Sequence, residues 1–70
     1  MMNLEQQIEI TNTFKFETVE VLGINYIVKE VRFEGKVDPT IVVERFKKAG
    51  QVVQFRLEWF IENFKFVDLY

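Results

Sequence analysis

Eight phenylalanines and no cysteine in a chain of seventy residues leave one route to a stable fold: a single small core filled by large aromatic rings. A chain of this length buries only about 60% of the surface that its unfolded form exposes. There is room for one domain, residues 1–70, and no disulfide to reinforce it. Hydrophobic residues make up 49% of the chain, which sets it apart from the polar, highly charged composition of disordered segments.

The same inventory removes most catalytic chemistry. With no His, Cys or Ser, the chain lacks the usual neutral-pH base, the commonest transition-metal ligand, and the thiol and serine nucleophiles. Glu17 with Glu20, and Glu58 with Glu62, offer close carboxylate pairs. Two acids are the minimum for glycosidase-like work, but such spacing is ordinary on surfaces, and a shell this small offers no deep cleft. The expectation is a protein without enzymatic activity, cofactor or metal site.

The net charge of −2 is unevenly spread. Residues 1–28 set four glutamates against Lys15, whereas residues 29–56 carry seven basic side chains against four acidic ones. The last fourteen residues return to an acidic excess. An acidic chain is a poor general binder of nucleic acid, although its middle could present a local basic face. The start, Met1-Met2-Asn3-Leu4-Glu5, has neither the basic nor the apolar region of a secretory signal. No run approaches the ~20 apolar residues of a membrane helix. The cytoplasm is the expected compartment.

Hydrophobic spacing predicts mainly strands. Ile8, Ile10, Phe14 and Phe16 occupy even positions, the period-2 pattern of a strand with one buried face. The apolar set moves to odd positions at Val19 and Val21, which implies a turn or bulge near Glu17-Thr18. Gly23 marks a second bend. Ile24 to Phe33 reads as a strand, with Ile27, Val31 and Phe33 on one face and Tyr26, Val28 and Arg32 on the other. Glu34 to Pro39 is a loop by its Gly, Asp and Pro.

Residues 40–49 admit two readings. Asp38, Pro39, Lys47, Lys48 and Gly50 would frame a helix well. The run Thr40-Ile41-Val42-Val43, four β-branched residues, suits a strand and is the preferred reading. Ile41–Lys47 and Gln51–Leu57 then form a hairpin in which 47 pairs with 51 and Gly50 turns left-handed. Ile41, Val43 and Phe55 face the core, while Val42, Phe46 and Val52 face outward. Leu57, Phe60, Ile61 and Phe64 have the i, i+3, i+4, i+7 spacing of one or two helical turns. A last short strand follows from Phe64, Phe66 and Asp68.

These elements describe a mainly β protein: a small SH3-like, partly open barrel of about five strands, with one short helical turn before the last. The alternative is an α+β domain with a helix at 40–49. Val19-Glu20-Val21-Leu22-Gly23-Ile24, Ile41-Val42-Val43 and Arg56-Leu57-Glu58-Trp59-Phe60 resemble the framework of small bacterial and phage SH3-like domains of unknown function. Leu57 directly follows Arg56, where that framework has a proline, and the central connection is longer. The resemblance covers about two thirds of the chain and implies a fold rather than an activity.

For function, the outward set Phe46, Val52 and Val42 needs a cover, supplied by the Ile8–Phe16 strand, a second copy or a partner protein. Trp59 and Tyr26, and Tyr70 at the C-terminal end of the sequence, are either aromatic lids or binding anchors. The leading expectation is a non-enzymatic protein-binding module that occludes or scaffolds a partner surface. Small size and the resemblance add a phage or mobile-element accessory protein, or a host-defence inhibitor. The alternatives are a nucleic-acid-binding barrel using Arg45, Lys47, Lys48 and Arg56, with Lys36 near them, or a subunit of a larger assembly, including a homo-oligomer.

Overall fold

The computed structural model describes residues 2–35 and 37–68; Lys36 and Tyr70 lie outside the described residues. The chain runs α1 (Leu4–Phe14), β1 (Thr18–Val21), β2 (Ile24–Arg32), β3 (Thr40–Arg45), β4 (Val52–Arg56), α2 (Leu57–Asn63) and β5 (Phe64–Phe66). The five strands form one antiparallel sheet in the order β4-β3-β2-β1-β5. β4 and β5 stay apart as its two edges, so the sheet is not closed. The mainly β architecture, the open sheet and the helix before the last strand agree with expectation. Thr40–Arg45 is a strand, as its β-branched run requires, and the α+β alternative with a helix at 40–49 falls.

The segment expected as a strand over Ile8–Phe16 is instead the helix α1. Asn3 caps it through a reciprocal box: the Gln6 amide donates to Asn3 Oδ1 (2.8 Å), and the Asn3 amide donates to Gln6 Oε1 (3.1 Å). The inward face is Gln7, Ile10, Thr11 and Phe14, a helical i, i+3, i+4, i+7 stripe. Two of its four members are polar, which hides the stripe from a hydrophobic count. Ile10 and Phe14 are also four apart, a spacing common to strand and helix, and polar Asn12 interrupts the alternation. α1 packs against β2 and the core and leaves the outward side of the hairpin uncovered. The shift of apolar positions near Glu17 is the exit from this helix, where Phe16 turns left-handed (φ 64°).

β2 was expected to present Ile27, Val31 and Phe33 on one face. A bulge between Val28 and Glu30 changes that. Ahead of it Tyr26 and Val28 point into the core; beyond it Val31, opposite Ile41, and Phe33 do. One extra residue thus lets one strand serve the same core with two parities. The β3–β4 hairpin keeps the expected faces, with a register shifted by two: Ile41 pairs with Phe55 and Val43 with Val53. The Arg45 amide bonds to Gln51 O (2.9 Å). The longer connection uses a left-handed Lys47 (φ 61°) besides the expected Gly50 (φ 88°), and the Gly50 amide donates to the Glu44 carboxylate at 2.9 Å.

The core gathers Phe14, Val19, Val21, Tyr26, Val28, Ile41, Val43, Leu57 and Phe60. Phe60, wholly buried, stacks on Phe64 (5.0 Å between centroids) and meets Phe14 edge-on (5.5 Å). Among the described residues no helix is long and apolar enough to cross a membrane.

Two outcomes test this account. Phe60→Ala should cost about 3–5 kcal/mol, most of the ~4–10 kcal/mol that a domain of this size holds, so denaturant melts should find the variant at the edge of unfolding. Leu22 and Gly23 both have positive φ (50° and 83°), and Leu22 is exposed. That turn favours Asn-Gly, so Leu22→Asn should raise stability by about 0.5–1 kcal/mol in the same melts.

Candidate functional site

β4 passes directly into α2, with Arg56 as both the last strand residue and the helix N-cap. That junction brings Phe55 and Trp59, four residues apart, into a stack with centroids 5.2 Å apart and planes at 26°. Phe55 is anchored from behind by Tyr26 at 5.8 Å, edge-on, and by Phe60 at 6.2 Å. Trp59 remains 37% exposed, so the stack reaches from core to solvent. Gln54, Phe55, Arg56, Glu58, Trp59 and Glu62 line an open groove of about 540 Å³ around it.

The groove borders an unpaired strand edge. Pairing of Arg45 with Gln51, and the Leu57 amide bonding to Pro39 O at 2.9 Å, fix which main-chain groups of β4 face β3. Val53 and Phe55 turn their amides and carbonyls inward to β3. Gln54 turns both of its groups outward, and Arg56 turns its amide outward, while the Arg56 carbonyl, as that of the helix N-cap, accepts the first bond of α2. Val52 turns its carbonyl outward, its amide donating to Gly50 O at 3.2 Å. Val52 (55% exposed) and Val53 (36%) add apolar surface along this edge.

The expected contact residues divide accordingly. Trp59 and Val52 are exposed, and Phe46 is partly buried at the start of the connection, its amide bonded to Asn25 O (2.9 Å). Tyr26 and Val42 are corrected to buried positions. Tyr26 supports Phe55 from the core, and Val42 sits between Glu30 and Gln54 in the sheet, where longer side chains flank it. The four expected cations also separate. Arg45, Lys47 and Lys48 gather at the connection, with Lys47 Nζ 5.5 Å from the Phe46 ring centre. Arg56 lies at the far end of β4, five residues beyond Gln51 or roughly 17 Å along the strand, and pairs with Asp38 at 3.0 Å.

By residue pattern alone Phe55 belongs only to the core, and Glu58 and Glu62 stand only as a close carboxylate pair. Both glutamates instead flank Trp59 on one side of α2. The missed signal is the four-residue spacing of Phe55 and Trp59 across the end of a strand. Among the described residues no group of three or more potential metal ligands lies together.

Because Trp59 caps the stack from outside, Trp59→Ala should lower stability by only about 1 kcal/mol. Leu57→Ala, two residues away and buried, should lose about 2–5 kcal/mol, a contrast that urea titration can measure. Comparison with protein-family models, with curated proteins and with solved structures finds no match to this chain.

Proposed function

We propose that the chain is a non-enzymatic protein-binding module that works by occluding or scaffolding a partner's surface. The observation that carries this reading is the Phe55–Trp59 stack, exposed at its outer ring and lying beside the unpaired edge of β4. An aromatic rooted in the core presents contact area at little entropic cost on binding. The neighbouring edge adds main-chain donors and acceptors that a second strand can take up. Its small size and its resemblance to small bacterial and phage SH3-like domains support a role as an accessory protein of a phage or mobile element, or as a host-defence inhibitor, acting in the cytoplasm.

The test is to purify the tagged chain from the cells that naturally make it. It should bring a protein with it, foreign or a second copy, and Trp59→Ala should weaken that association about tenfold or more. Leu4→Lys, on the exposed side of α1, should leave it unchanged. Binding that ignores Trp59→Ala would overturn the site. Salt-sensitive binding to single-stranded DNA, lost on Lys47→Glu with Lys48→Glu, would favour the basic connection instead.

A further inference from the structure

We infer that the occupant of the β4 edge is a second copy of the chain, paired antiparallel about a two-fold axis at Gln54. This rests on the reading of β4 and Trp59 as the contact surface.

The edge is complementary to itself. The Gln54 amide and carbonyl, the Arg56 amide and the Val52 carbonyl have the spacing of antiparallel pairing, with Gln54 opposite Gln54 and the Arg56 amide opposite the Val52 carbonyl. On the core side, Val53 then lies beside the second copy's Phe55, extending the apolar row Val28-Val43-Val53 into the second copy's Phe55-Ile41-Val31. On the solvent side, the row Ile27-Glu44-Val52 meets Arg56-Thr40-Arg32. No like charges face each other across the new junction, and like charges there would oppose pairing. Val52 and Val53, exposed in the single chain, become covered.

Charge supplies the direction. Lys47 and Lys48 precede β4, and Glu58 and Glu62 follow it. Among the described residues none of these four forms an ion pair within the chain. Antiparallel pairing at Gln54 runs residues 46–50 of one copy toward residues 58–62 of the other. The basic end of each β4 therefore meets the acidic end of its mate, twice about the axis, as an isologous interface requires.

The opposite edge of the sheet lacks this complementarity. β5 has three residues, and the Val67 amide bonding to Thr18 O at 3.0 Å leaves Phe64 and Phe66 with the outward groups. Self-pairing there would set Lys65 against Lys65, a common protection of strand edges. β4 has no proline or lysine and no bulge within it.

Light scattering and sedimentation of the purified chain should show a defined dimer whose dissociation constant rises with salt. Gln54→Pro removes an outward amide and spares every bond to β3; it should raise that constant about tenfold or more with an unchanged circular dichroism spectrum. Glu58→Lys with Glu62→Lys should weaken the dimer to a similar degree, and adding Lys47→Glu with Lys48→Glu should restore it to within about threefold. All four charged positions are exposed, so the charge exchange decides the matter if Gln54→Pro fails to fold. A monomer at the highest soluble concentration, a dimer indifferent to the charge exchange, or growth to larger species by β4–β5 pairing would each overturn the inference. A monomer that still carries a foreign protein released by Trp59→Ala would sink self-pairing and leave the binding-module reading standing.

Discussion

The position of the Phe60 ring is the constraint on which the other elements depend. It touches Phe14 from α1, Phe55 from β4 and Phe64 from β5, so one side chain joins both ends of the chain and an edge strand. Phe14 closes the group by meeting Phe64 and Phe66 at 5.1 and 5.8 Å. In a chain too short for a second core, this ring cluster does what a disulfide does in many domains of similar size. The sheet supplies the floor of the core through Val19, Val21, Val28, Ile41 and Val43, and the aromatics fill the open side.

Local irregularities make that arrangement possible. The bulge in β2 reverses its parity, so Tyr26 and Val28 near one end and Val31 and Phe33 near the other all meet the same interior. The left-handed residues Phe16, Leu22 and Lys47 lie at the exit of α1, the β1–β2 turn and the β3–β4 connection. None is glycine, so each corner carries a backbone cost that the core must offset. All three glycines of the chain, Gly23, Gly35 and Gly50, also take a positive φ.

Much of the sheet was legible in the sequence, for identifiable reasons. The β-branched run at 40–43 outweighed caps that imitate a helix, and the Leu57-Phe60-Ile61 spacing placed α2 before a last strand. Leu57 and Phe60 are indeed buried, whereas Ile61 is exposed. The first element misled because every apolar residue in it falls on an even number, and its helical face is half polar. A capping pair, Asn3 with Gln6, was present but carries weight only once a helix is already suspected. The hairpin register was off by two because a turn with a left-handed lysine has no residue-type signature. The candidate site was half legible: Trp59 stood out as a lone tryptophan, while its platform depends on a strand-to-helix junction with no intervening loop.

That junction couples the surface to the interior. With Arg56 ending β4 and capping α2 at once, no flexible hinge absorbs a displacement of the edge before it reaches Leu57 and Phe60. A displacement at the rim is therefore passed directly to buried Leu57 and Phe60. A partner bound at the rim would lend its binding free energy to the entire fold. For so small a chain, a ligand at the rim would link occupancy to foldedness in one equilibrium and lower access by proteases.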